Sequence, residues 1–185
     1  MILLLNVVTA LVIGLLTEQL AVVAVFTLSF MVLRGYTGGY HSDSRIFCYL
    51  GSNLVLLVPV YTQAVFYKTS LAWLLAVLLV SAGIIFLLSP MHSKNRKLDK
   101  EEQKHFGRKA RLIAALELAV LGILWHAGQI PYAYAVYTGI CITALFMLVG
   151  SLSSNKAMTV IYTLAIFLIL LLASSTIYDR LCEPE

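Results

Sequence analysis

Polar sequence is what this chain has least of. Apolar residues make up 61% of it and the mean hydropathy is +0.91, against roughly 45–50% apolar in soluble domains. That excludes an ordinary soluble domain and indicates an integral membrane protein. The apolar runs are continuous and lack the alternation of barrel strands, so the fold class is all-α. Cysteine is scarce and odd in number: Cys48, Cys141 and Cys182 form no disulfide framework. Cys141, inside an apolar run, reads as a small packing residue. Cys182, in the polar tail, carries no assignment. The N-terminus lacks both a basic stretch and a cleavage site, so it does not read as a removed signal. No internal repeat is visible.

What is there is a succession of about six or seven hydrophobic helical segments in a single domain, 1–185. They fall at about 2–16, 19–33, 49–67, 71–89, 110–128, 132–150 and 157–178. A spanning helix needs ~20 residues, and the last five segments qualify. The first two are short and are separated by Glu18-Gln19. Two readings compete for them: a helical hairpin with Glu18 at its tip, which is favoured, or one long tilted helix with Glu18 at mid-depth, where an unpaired carboxylate costs several kcal/mol.

The net charge of +4 hides an asymmetry, because eight of the thirteen Lys and Arg lie between Lys94 and Arg111. Strict alternation of the segments puts loops of about 34–48, 90–109 and 151–156 on one side with eleven Lys and Arg, leaving Lys68 and Arg180 on the other. By the positive-inside rule the first side is cytoplasmic, and the acidic tail Asp179 to Glu185 falls outside. Trp73, Trp125, Tyr61, Tyr67, Tyr132 and Tyr134 lie near the outer helix ends, as an aromatic belt does.

The one polar break in the first third of the chain holds His41 and Cys48. On one straight helix this i, i+7 pair would stand ~10.5 Å apart, whereas proton transfer needs contact of ~3 Å. The segment is therefore expected to break, helped by Gly35, Gly38 and Gly39, with Cys48 starting the next helix. A helix N-terminus stabilises a thiolate, a neighbouring imidazole can take the thiol proton, and Arg34 or Arg45 nearby would favour the anion further. Asp43 and Ser44 are local candidates for a third member, and a dyad without one is the alternative. The spacing alone is not specific: a lone cysteine is usually core, and a histidine at a membrane interface is usually solvated. One His and one Cys are too few for zinc, so no metal and no cofactor are expected.

At these residues the sequence resembles the accessory gene regulator B (AgrB) family, membrane cysteine endopeptidases that process quorum-sensing pro-peptides. The family pattern is an Arg, a Gly-Gly-aromatic-His run and a Cys seven positions after the His, matched here by Arg34, Gly38-Gly39-Tyr40-His41 and Cys48. Downstream, Ser89-Pro90, Asn95-Arg96-Lys97-Leu98 and Glu101-Glu102-Gln103-Lys104 resemble the family's Pro-led, Asn-Lys-Pro-Leu and Glu-Glu-Lys-rich loop, with Lys97 where Pro is frequent. Family members often carry an amphipathic segment before the first span, whereas Ile2 here already opens an apolar run.

The resemblance implies a multi-pass protein of the bacterial cell membrane with its active site facing the cytoplasm, and a homodimer. It implies catalysis by Cys48 and His41, supported by Arg34, Gly38, Gly39, Asp43, Ser44 and Arg45. The substrate would be a short pro-peptide with an acidic C-terminal tail, cleaved through a thioester that closes into a thiolactone or lactone ring. A partly apolar mouth at Ile46, Phe47 and Tyr49 would keep water out. Lys94, Arg96, Lys97, Lys100, Lys104, Arg108, Lys109 and Arg111 would attract the acidic tail, or simply anionic lipid at ~1 kcal/mol per basic residue. No nucleic-acid partner is expected. Glu117, inside the fifth apolar segment, is a candidate intramembrane functional residue, or half of an ion pair with Arg111 or Arg34. The competing functions are a non-enzymatic transporter or peptide-export protein, and a thiol acyltransferase. A transporter would show more ionisable groups at mid-membrane than Glu117 and Glu18.

Overall fold

The computed structural model describes residues 2–38, 45–91 and 99–152. Their regular structure is helical: α1 (Ile2–Leu16), α2 (Leu20–Thr37), α3 (Arg45–Tyr61), α4 (Gln63–Lys68), α5 (Leu71–Leu88), α6 (Lys100–His126) and α7 (Ile130–Leu152). Three stretches are long and apolar enough to cross a membrane: Leu20–Thr37, Leu71–Leu88 and Ile130–Leu148. The expected segment at 157–178 lies outside the described residues.

Residues 2–33 form the hairpin and not the long helix. At its tip Glu18 takes the left-handed conformation, φ 57°. Gln19 N–H then bonds the Gly14 carbonyl at 3.0 Å and Glu18 N–H the Leu15 carbonyl at 3.3 Å, the paired bonds of a Schellman stop. The α6–α7 turn is built the same way. Gly128 has φ 71°, Gln129 N–H meets the Leu124 carbonyl at 2.9 Å, and Gly128 N–H meets the Trp125 carbonyl at 3.1 Å.

Several expected boundaries move. Segment 49–67 is two helices, interrupted at Thr62 just beyond Pro59. Thr62 turns its hydroxyl back to the Val58 carbonyl at 2.8 Å and meets the Tyr134 hydroxyl. Of the loop read at 34–48, the flanks 34–37 and 45–48 are helical. The loop read at 90–109 ends at Asp99, which caps α6 in a capping box with Glu102. At 27 residues, α6 runs ~40 Å, longer than a ~30 Å hydrocarbon layer. Residues 151 and 152 still belong to α7.

α7 is the most enclosed of the three long apolar helices, and two clusters lie around it. One joins Ala10, Val23, Phe26, Leu56, Phe66 and Tyr134 from α1, α2, α3, α4 and α7; the other joins Leu33, Leu78, Ile85, Ala114, Ile140 and Met147 from α2, α5, α6 and α7. Outward faces stay apolar, with Leu16, Leu79, Leu87 and Ile123 exposed. Tyr61, Tyr67, Trp73 and Trp125 are exposed at the end holding the α1–α2 and α6–α7 turns. Tyr134 is not part of that belt. It is buried beside Phe66, ring centroids 4.8 Å apart, because its ring fills the space where α4 folds onto α7.

Candidate active site

The ends of α2 and α5 and the starts of α3 and α6 gather at one pole of the bundle, called here the basic pole. Cys48 is in the first turn of α3. His41, Gly39, Asp43 and Ser44, and Lys94, Arg96 and Lys97 of the basic loop, lie outside the described residues. The site is therefore defined by what holds the chain on either side of them.

On the histidine side, α2 stops at Gly38, which has φ 71° and ψ −153°. Gly38 forms a parallel bridge with Met91, and Met91 N–H donates to the Thr37 carbonyl at 2.9 Å. A Cβ on Gly38 would come within 2.6 Å of the Met91 carbonyl oxygen, so both the dihedral and the contact require glycine. Arg34 donates from Nη1 to the Gly38 carbonyl at 3.0 Å, and its guanidinium carbon stands 5.1 Å from the centre of the Phe146 ring on α7. Arg34 thus anchors the exit of α2.

On the cysteine side, the Tyr49 and Thr9 hydroxyls are 2.8 Å apart. Thr9 already donates to the Leu5 carbonyl at 2.9 Å, so the Tyr49 hydroxyl is the donor between them. The residue after Cys48 is thereby tied to α1. Tyr49, expected as part of an apolar mouth, makes a polar contact instead, because its ring reaches a helix whose facing residue is a threonine.

The basic side chains divide into two kinds. Lys104, Arg108 and Lys109 are exposed on the first turns of α6, and the Lys109 ammonium lies 5.8 Å from the centre of the Tyr36 ring on α2. Arg111 donates from Nε to the Phe86 carbonyl at 3.1 Å, completing a carbonyl in the last turn of α5 that no helical N–H can reach. That is a structural role the sequence reading did not assign to it. Arg45 and Lys100 open α3 and α6 at the same pole.

Glu117 is met by a hydroxyl and not by the expected arginine: Ser29 Oγ donates to its Oε2 at 3.0 Å. The reason is register. Gly107, Ala110 and Ala114 are the buried stripe of α6, and Glu117 continues it at helical spacing, facing α2 where Ser29 stands. Cys141, expected among apolar neighbours, has Ser81 and Tyr137 as polar ones. Among the described residues no group of three or more His, Cys, Asp or Glu could hold a metal ion. The sequence reading missed Thr9, Ser29, Tyr36, Gly107 and Phe146. Only the Gly107-Ala110-Ala114 spacing carried a signal, that of close helix approach.

The model of one protein family, accessory gene regulator B, matches residues 1–149. No curated protein and no solved structure matches significantly.

Proposed function

The chain belongs to the accessory gene regulator B family, which supports involvement in the accessory gene regulator quorum-sensing system; from that premise we propose that it is a membrane cysteine endopeptidase that processes a short pro-peptide. The observation that carries the reading is the position of Cys48 in the first turn of α3, at the pole where the chain leaves Gly38 toward His41 and where the basic turns of α6 begin. Unpaired N–H groups of a first helical turn favour a thiolate, and an imidazole within reach can take its proton.

The reaction runs as follows. Cys48 Sγ attacks the carbonyl at the junction between peptide and acidic tail, while His41 takes the thiol proton. The C–N bond breaks, His41 returns the proton to the leaving amine, and the tail departs. A thioester to Cys48 remains. A Cys or Ser within the peptide then attacks that thioester, losing its proton as the ring closes, and Cys48 is released and reprotonated. Thioester-to-thioester exchange is nearly balanced in energy, so a thiolactone closes from the acyl-enzyme with little change in free energy once the tail has departed.

Lys104, Arg108 and Lys109 give the acidic tail a docking face at the same pole as the start of α3. Among the described residues the basic side chains divide unequally: Arg34, Arg45, Lys100, Lys104, Arg108, Lys109 and Arg111 are at the basic pole, with Asp99, Glu101 and Glu102 among them, and Lys68 is at the other. By the positive-inside rule the basic pole faces the cytoplasm in a multi-pass arrangement. Anionic lipid is a second partner for the same lysines and arginines, and the family resemblance supports a homodimer.

The test is a processing assay in proteoliposomes with a candidate precursor, following tail release by mass. Release by the wild type, lost in Cys48→Ala and in His41→Ala, supports the peptidase. Undiminished release by Cys48→Ala overturns it.

A further inference from the structure

At the pole opposite the basic one, α4, α5, α6 and α7 enclose an apolar cavity of about 250 Å³. Leu71, the first residue of α5, and His126, the last of α6, stand at its mouth with Trp125. Two turns further in, ~10 Å by helix rise, Leu78 of α5 and Tyr137 of α7 line its inner end, and Leu78 is buried. Part of the α6 wall is Gly122, where a Cβ would meet nothing within 4 Å. A larger residue at that position would occupy the space.

Three observations say what the cavity takes. It runs along α5, a helix apolar enough to cross a membrane, and Leu75 on its wall is exposed, so an occupant enters from the hydrocarbon layer. It is narrow. A helix with its side chains is about 10 Å across, so two turns of one exceed the volume, and pockets for compact ligands begin near 300 Å³; a single hydrocarbon chain fits. Its mouth is cationic. Lys68 ends α4 just before Leu71 and is the one Lys or Arg at this pole among the described residues, and His126 stands at the rim. The carboxylate at this pole, Glu18, belongs to the α1–α2 turn, which does not line the cavity.

We propose that this cavity is a phospholipid site: one acyl chain enters between α5 and α6 and ends against Leu78 and Tyr137, while the phosphate sits at the interface by Lys68 and His126. Burial of hydrocarbon holds the chain. The phosphate accepts hydrogen bonds from the ammonium and from an imidazole N–H. Trp125 marks the level at which indole rings meet lipid headgroups. The lipid fills a gap between α5, α6 and α7 that no side chain fills. The site is at the opposite pole from the start of α3, so the proposal is independent of the peptidase reading.

The experiment uses the full chain in nanodiscs of phosphatidylcholine containing a phosphatidylglycerol with a diazirine midway along one acyl chain. After irradiation, adducts are assigned to residues by peptide fragmentation. Labelling of Leu78 and Tyr137 is expected to saturate as the probe is raised, whereas labelling of the outward-facing Leu79 rises in proportion to it. Each methylene displaced from the cavity is worth about fourfold in affinity. Gly122→Leu displaces several and is expected to lower labelling of Leu78 and Tyr137 about tenfold or more, with Leu79 unchanged. Gly122→Ala, the smaller intrusion, is expected to lower it about fourfold. Gly83→Leu, at another open glycine that does not line the cavity, is expected to lower neither. Lys68→Gln is expected to raise the half-saturating probe concentration about fivefold. Undiminished labelling of Leu78 and Tyr137 in the folded Gly122 variants overturns the proposal. So does labelling of Leu79 with none inside the cavity, the result if a second copy or another segment of this chain covers it. A half-saturation point unmoved by Lys68→Gln overturns the placement of the phosphate.

Discussion

Ser29 Oγ donates to Glu117 Oε2 at 3.0 Å across the α2–α6 interface, and Gly139 of α7 backs the same hydroxyl so closely that a Cβ there would lie 2.6 Å from it. The bond gives a carboxylate in an apolar helix a partner, and three helices meet at it. Gly139→Ala is expected to destabilise the fold by about 1–3 kcal/mol, as overpacking does. Glu117→Gln keeps an acceptor for Ser29 and is expected to cost about 1 kcal/mol or less. Thermal unfolding in detergent separates the two.

Tyr49 ties the turn that bears Cys48 to α1 through Thr9. Tyr49→Phe removes one hydrogen bond worth about 1 kcal/mol and keeps the ring. If the bond supports the reactive geometry, kcat for tail release falls about fivefold, and Thr9→Val gives a similar loss. The double variant is expected to lose little more than either single one, because both break the same bond.

Arg111 and its basic neighbours are expected to fail differently. Arg111→Gln removes the donor to the Phe86 carbonyl and lowers thermal stability by about 1 kcal/mol, with KM little changed. Charge reversal at Lys104, Arg108 and Lys109 leaves stability nearly intact and raises KM for a precursor with an acidic tail, and the defect shrinks at high salt. An unchanged KM in an inserted, folded variant would rule those residues out of tail binding.

The left-handed Glu18 offers a gain. A side chain in that conformation costs roughly 1–2 kcal/mol, and Glu18→Gly removes the cost at the Schellman position that Gly128 already occupies in the α6–α7 turn. The melting temperature is expected to rise, with tail release unchanged.

How far the structure was legible depends on range. The α1–α2 turn could be read because Glu18-Gln19 interrupts an apolar run, whereas the start of α3 was placed at Cys48, three residues late, because the helix opens at Arg45 inside the polar break. The start of α6 was hidden inside a charged stretch read as loop, although Lys and Glu are good helix formers and Asp99 with Glu102 is a capping pair. The break at Thr62 was masked by continuous apolar sequence. The partner of Glu117 was out of reach, since a serine in an apolar helix looks like any small residue. The same holds for the pairing of Gly38 with Met91, which joins positions far apart in the chain and leaves no local pattern.

The most direct test of the central claim is to trap the acyl-enzyme. A precursor with its internal nucleophile replaced by Ala cannot close the ring. Mixed with wild-type protein under single-turnover conditions, it is expected to release its tail and leave the peptide in thioester linkage on Cys48, seen as an added mass that hydroxylamine removes. Tail release with no mass on Cys48, or with the mass on another residue, would contradict the account.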